Sequence, residues 1–198
     1  MKFCVLMGSP RQEGNTAALL GPFLEECGAM GVETETIRLY DRAVNPCLGC
    51  MTCQDVADGP GCVQDDDFGE IFRAMQDCDV IILATPIYAF FCTAPMKALL
   101  DRAIYAGTKN YGAVKGPKLL EGRRLAAIAT CGYPPERGAD LWEESLKRFC
   151  RHGGLEYMGM LCRRDRGKRE PFLNEDRAQA ARDFAQAIRM SIRAEEMG

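Results

Sequence analysis

Residues 80–86 read Val80-Ile81-Ile82-Leu83-Ala84-Thr85-Pro86, five apolar positions in a row before the first hydroxyl. A strand with one wet face alternates apolar and polar side chains, and this one does not, so both of its faces must be covered. That is the condition of a strand inside a parallel sheet with helices on either side. Working outward, 2–8 is a second compact apolar run ending at a turn. Segment 16–30 repeats apolar residues at helical spacing (Leu19, Leu20, Phe23, Leu24, Cys27), and 32–39 alternates as a strand. A helix over 66–78 (Phe68, Ile71, Phe72, Met75) leads into the quoted run. Beyond it come a helix over 93–105 with Thr93 in the N-cap position, an apolar strand over 124–131, a helix over 141–152 and a strand over 155–162. A long final helix from about 174 to 195 carries the stripe Phe184, Ile188, Ile192. Five strands alternating with five helices predict a three-layer α/β sandwich around a parallel sheet with right-handed crossovers. No repeat or second domain is visible, so residues 1–198 are expected to form one domain, with a cysteine-rich insertion at about 43–65.

Cys47, Cys50, Cys53 and Cys62 fall inside 16 consecutive residues, where even spreading of 11 cysteines over 198 positions would put about one. Two thiols at a spacing of three, a third at the same spacing, and a fourth after a Gly-Pro-Gly turn can converge on one centre, as in the cysteine runs that hold [4Fe–4S] clusters. A disulfide framework and a structural zinc site are the rival readings. Met1 leads within two residues into FCVLMG, without the charged and apolar regions of a secretion signal. A cytoplasmic location with reduced thiols is therefore expected. Apolar runs are too short to cross a bilayer, and a net charge of −3 offers no electrostatic case for nucleic acid or an anionic membrane. Small molecules and other proteins remain as partners.

At the junction of the first strand and first helix the sequence reads Gly8-Ser9-Pro10-Arg11-Gln12-Glu13-Gly14-Asn15-Thr16. A helix N-terminus offers free N–H groups and partial positive charge to an anion. Ser9, Asn15 and Thr16 add donors, and Arg11 a charged fork. The spacing fits neither a P-loop nor G-x-G-x-x-G, which leaves a phosphomonoester as the natural ligand. In a doubly wound sheet of flavodoxin-like order, 2-1-3-4-5, ligands sit beyond the carboxyl ends of strands one and three. Strand three ends Pro86-Ile87-Tyr88-Ala89-Phe90, whose backbone can meet the polar edge of an isoalloxazine ring while Tyr88 or Phe90 lies near its face. Strand four brings Thr130-Cys131-Gly132-Tyr133 to the same rim.

Through GSPRQEGNT, TPIYAFFCTAPMKALLDR and TCG the chain resembles the NADPH-dependent FMN reductases of the flavodoxin-like group. Its C-x2-C-x2-C motif with a fourth cysteine nearby is similar to that of the iron–sulfur flavoproteins of anaerobic prokaryotes. The resemblance extends to about Cys162. It implies that Ser9, Arg11, Asn15 and Thr16 bind the FMN phosphate, that Pro86, Ile87 and Tyr88 meet the ring with Cys131 and Gly132 at its rim, and that Cys47, Cys50, Cys53 and Cys62 ligate a [4Fe–4S] cluster. Eight residues separate Cys53 from Cys62, where the family's gap is usually shorter. The resemblance further implies a flavin-dependent oxidoreductase that passes electrons between a two-electron donor or acceptor, NAD(P)H among them, and a one-electron carrier such as ferredoxin, in a homodimer or homotetramer. A cluster-free NAD(P)H-dependent FMN or quinone reductase and a non-enzymatic flavodoxin-like carrier are the alternatives.

The remaining cysteines lie in or beside predicted strands and helices and read as small buried hydrophobes, Cys131 with the added interest of its rim position. His152, the lone histidine, is expected at a helix C-terminus as a charge partner of the dipole. Lys97 and Asp101 form a helical surface pair, and Arg102 reads as structural. The basic run 163–169 reads as a solvated loop or a site for NADPH phosphates or an acidic carrier protein. Segment 107–122, with Tyr111 and the lysines Lys109, Lys115 and Lys118, reads as a solvated loop, a ligand cover or a subunit contact.

Overall fold

The quoted run is the middle of the sheet. A computed structural model describes residues 1–109, 116–167 and 171–197, and in it Val80–Pro86 forms β3, with Val80 through Thr85 at 0% exposure. Around it stand β1 (Lys2–Met7), β2 (Glu33–Arg38), β4 (Arg124–Cys131) and β5 (Glu156–Arg164), all parallel, in the order β2-β1-β3-β4-β5. The expected flavodoxin-like α/β sandwich is what forms. Strand periodicity decides which side chain feeds which layer. Phe3, Val5, Val80 and Ile82 pack under α1 (Asn15–Ala29) and α6 (Glu175–Met197) with Leu19, Phe23, Ile188 and Ile192. Cys4, Leu6, Ile81 and Leu83 pack under α2 (Phe68–Gln76), α3 (Ala94–Gly107) and α5 (Asp140–Gly153) with Phe72, Leu99, Trp142 and Leu146. Each fully buried aliphatic or aromatic side chain of this kind contributes about 1.5–3 kcal/mol.

Three local features differ from the sequence reading. Thr93 occupies the N-cap position of α3 but makes no capping bond. Its hydroxyl instead donates to the carbonyl of Gly8 at 2.7 Å, tying α3 to the end of β1. A one-turn helix, α4 (Pro135–Gly138), follows β4, favoured by Pro135 in its first turn. β5 carries one extra residue against Leu125–Ala127, and Gly159 at φ +104° lies in the bulge, a backbone conformation that suits only glycine. Among the described residues no helix is long and apolar enough to cross a membrane.

Candidate functional site: a rim crevice and a cysteine loop

β1 turns into α1 beside the point where the winding of the sheet reverses, and a crevice opens there. It brings together all nine residues singled out for a ligand: Ser9, Arg11, Asn15 and Thr16 from the β1–α1 turn, Pro86, Ile87 and Tyr88 from the end of β3, and Cys131 and Gly132 from the end of β4. Gly14, Thr130 and Asp165 complete the lining. Gly14 is the N-cap of α1, with extended backbone and no side-chain cap, so the first-turn N–H groups have no side-chain acceptor. A Cβ at Gly14 would stand 2.9 Å from the Cβ of Arg11, which forces glycine at this close approach. Ser9 is 4% exposed and shapes the turn, its oxygen accepting the N–H of Arg11 at 3.2 Å. Buried Thr16 and Thr130 share a hydroxyl–hydroxyl hydrogen bond of 2.9 Å between the helix start and β4. The Arg11 side chain is exposed and, among the described residues, forms no ion pair. A helix start without a side-chain cap beside an arginine with no ion pair among the described residues is the chemistry that suits an anion.

The loop after β3 is a tight turn. Tyr88 and Phe91 exchange both backbone hydrogen bonds, at 2.8 and 2.9 Å, across Ala89 and Phe90, whose φ values are +49° and +65°. Two consecutive left-handed residues are normally Asn-Gly or Gly-Gly, and holding non-glycine residues there costs of order 1–2 kcal/mol each. The N–H of Ile87 donates to Thr130 at 2.7 Å and that of Tyr88 to Phe91. Among the described residues, the N–H groups of Ala89 and Phe90 have no acceptor. The Phe90 ring stacks on Tyr133 at 5.6 Å, clipping the β3 and β4 loops together. Sequence reading placed the loop but had no signal for its strain, since Ala-Phe carries no turn signature.

The cysteine loop is anchored at its stem by Asp66. Its carboxylate accepts the N–H groups of Asn45 and Phe68 and a two-pronged ion pair from Arg102, at 2.6 and 2.9 Å, with the two side chains 3% and 1% exposed. Burial alone would raise this carboxyl, but Arg102 and the two N–H groups outweigh it and hold Asp66 below the usual carboxylate range. Arg102 also donates to the carbonyl of Asn45 and, at 3.2 Å, to the sulfur of Cys62, and its guanidinium lies 4.2 Å over Phe68. At the other end Gln54 donates to the carbonyls of Tyr105 and Thr108 at the end of α3. The Lys109 ammonium donates to the carbonyls of Cys53 and Pro60, at 2.8 and 3.1 Å. Gly59 and Gly61 around Pro60 have φ of +94° and +63°, so the Gly-Pro-Gly turn needs both glycines.

Cys47, Cys50, Cys53 and Cys62 all line one small cavity, closed on its α3 side by Arg102, Tyr105 and Ala106. Among the described residues no three Cys, His, Asp or Glu side chains stand close enough to grip a single metal ion. The Thr52 backbone N–H and then its hydroxyl draw the exposed Cys50 thiol below its usual range, while burial pushes Cys53 up. The other seven cysteines are buried. Burial raises Cys27, Cys92 and Cys150 to about 12, as inert core thiols should be. Cys131 is both core and rim, its sulfur 3.5 Å from that of Cys162.

Sequence reading did not single out Lys109, and it read Arg102 as structural without its partners. Lys109, in the segment read as a solvated loop, a ligand cover or a subunit contact, is 1% exposed. Arg102 shares the buried face of α3 with Leu99, Ala103 and Ala106, and a charge on an apolar stripe was the available signal. His152 sits in the last turn of α5, as expected. Arg164 of the basic run is tied to the rim through the carbonyl of Gly132, at 3.0 Å. Tyr111, Lys115, Lys168 and Arg169 lie outside the described residues. A larger cavity of about 930 Å³ lies between α3 and α5, floored by Leu100, Trp142 and Phe149, away from the switch point at which doubly wound sheets bind ligands.

The strand order and the crevice at the switch point are those of a flavodoxin-like protein. Residues 1–158 match the family described as NADPH-dependent FMN reductase, and the chain belongs to that family. It is 39% identical over 136 residues, 69% of its length, to an iron–sulfur flavoprotein of Archaeoglobus fulgidus, and covers 58% of that relative. A second protein so named from the same organism is 32% identical over 160 residues, covering 81% of this chain and 65% of the relative. The chain thus spans little more than half to two-thirds of these relatives. A solved FMN-dependent NADH-azoreductase of Bacillus anthracis, in complex with FMN, superposes with a TM-score of 0.70 over 96% of this chain and 99% of its own at 18% identity, a likeness of fold.

Proposed function

We propose that this protein is an FMN-dependent oxidoreductase that exchanges electrons between a two-electron partner, NAD(P)H or a quinone, and a one-electron carrier, with ferredoxin as the candidate. The observation that carries the proposal is the uncapped start of α1 facing Ser9, Arg11 and Thr16 in a crevice whose other walls are the ends of β3 and β4. These residues fit a flavin mononucleotide. The first-turn N–H groups, the hydroxyls of Ser9 and Thr16 and the Arg11 guanidinium bind the phosphate dianion, while the free N–H groups of Ala89 and Phe90 meet the polar edge of the ring. When bound, FMN supplies hydride uptake and single-electron release, and the protein sets its position and polarity.

The four thiols also fit a [4Fe–4S] cluster, which takes one thiolate per iron and so needs ligands facing one cavity rather than crowding one ion. The names of the relatives support the same assignment. Leu48, Met51 and Val63, exposed at 68%, 42% and 56% on that loop, support contact with a second subunit in a dimer or tetramer. A cluster-free FMN reductase is the second reading, favoured by one observation: no residue of the cysteine loop lines the crevice. Iron and acid-labile sulfide analysis of anaerobically purified protein decides between them. The proposal expects FMN together with about four irons per chain. Protein that takes up FMN and is reduced by NADPH without iron establishes the second reading, and protein that binds no FMN overturns both.

A further inference from the structure

Beneath the cysteine loop lie two cations whose charges are balanced differently. Arg102 is neutralised by Asp66 through two short hydrogen bonds. Lys109 is 1% exposed, its ammonium donates to the carbonyls of Cys53 and Pro60, and among the described residues no carboxylate lies within ion-pair distance of it. Burying an ammonium without an opposite charge is costly, and neutral carbonyls offset only part of that cost. Such a group makes sense where negative charge arrives. Its two partners belong to a proposed ligand residue, Cys53, and to the turn that leads into another, Cys62. Four metal-bound thiolates are deprotonated outright, and four of them on a doubly positive iron–sulfur core leave a net dianion on this spot.

We propose that Lys109 is the buried counter-charge of the cysteine cluster and Arg102 the donor that seats Cys62, so that the charge balance under the loop sets the cluster's reduction potential. The proposal rests on the cluster assignment above. Both are positioning and tuning residues: Arg102 reaches the sulfur of Cys62 at 3.2 Å, and Lys109 ties the carbonyl of Cys53 to that of Pro60 within the Gly-Pro-Gly turn. Reduction adds one electron to the site and no proton or bond, so an unbalanced positive charge nearby favours it, as do hydrogen bonds to the sulfurs.

The test is a redox titration of the anaerobic FMN-loaded protein with dithionite as reductant, following the cluster by its visible and electron-paramagnetic signals. Lys109→Gln keeps N–H donors for the carbonyls and removes the charge, and is expected to lower the reduction equilibrium constant about tenfold, 59 mV for a one-electron couple. Lys109→Arg should stay within about threefold of the wild type. Asp66→Asn frees the charge of Arg102 and should move the potential upward. Opposite shifts from two buried substitutions are not what loosened packing produces. An unchanged potential in Lys109→Gln, an equal fall in Lys109→Arg, or a fall in both neutral variants overturns the proposal. If one neutral variant fails to bind FMN and fold, the sign of the other decides. Wild-type protein without iron overturns the cluster assignment itself and this proposal with it, whereas iron with unmoved potentials overturns the proposal alone.

Discussion

The rim crevice and the cysteine loop stand a short distance apart in sequence and are built on opposite principles. The crevice is made from strand ends, hydroxyls and the start of α1, which has no side-chain cap. The loop has little regular structure, a single turn of 3-10 helix at Thr52–Asp55, and is held by buried charge reaching up from α3 and its end. A site hung on central strands inherits its rigidity from the sheet. A site outside the sheet must carry its own fasteners, and here they are Asp66, Arg102, Gln54 and Lys109.

Substitutions that strike one region and spare the other test this contrast. The largest effect is expected for Arg102→Met, which leaves the Asp66 carboxylate buried without its partner. Loss of one member of a buried pair costs about 3–5 kcal/mol, read as a lower urea midpoint, while the crevice keeps its geometry and FMN affinity falls little. Arg11→Ala and Thr16→Val should do the reverse. Hydrogen bonds to a charged group contribute about 1.5–3 kcal/mol each, so FMN binding by isothermal titration should weaken at least tenfold in either variant, and unchanged affinity would remove the phosphate from this crevice. Thr16→Val also strands the hydroxyl of Thr130, which adds a loss of about 1 kcal/mol in stability.

A smaller and pH-dependent effect belongs to the loop. Asp66 is held below its ordinary range in the folded state, so the unfolded chain binds its proton more readily. Its contribution is complete above the unfolded carboxylate value of about 4 and is lost as pH falls through the lowered folded value. Urea midpoints at pH 7 and pH 3 should therefore diverge more in the wild type than in Asp66→Asn. Equal divergence would mean that the pair is not what fastens the loop. The smallest effect lies at the rim. Ala89→Gly relieves a left-handed residue at φ +49° and should raise stability by about 0.5 kcal/mol, the relief being offset in part by the freedom glycine adds to the unfolded chain.

The same contrast explains what the sequence disclosed. Val80–Ala84, the glycine turn before Thr16 and the apolar strand at 124–131 each announce themselves locally, and together they determined the sheet order and the crevice. The cysteines were legible as a cluster because their spacing is local too. What was not legible joins residues far apart in the chain: Asp66 with Arg102, Gln54 with Tyr105, Cys53 with Lys109. No periodicity encodes such pairs, and Lys109 in a polar stretch looks solvated until the loop closes over it. Thr93 was placed correctly and given the wrong partner, because only the folded sheet brings Gly8 to its hydroxyl.

Gln54 gives the loop a remote witness. Its amide terminates α3 by satisfying the carbonyls of Tyr105 and Thr108, groups that a helix end otherwise leaves to solvent. Seating the loop and finishing the helix are thus one event. Deuterium uptake at the amides of 106–109 will therefore slow when the thiol segment docks and quicken when it peels away, giving a colourless gauge of assembly that works whether or not any chromophore is present.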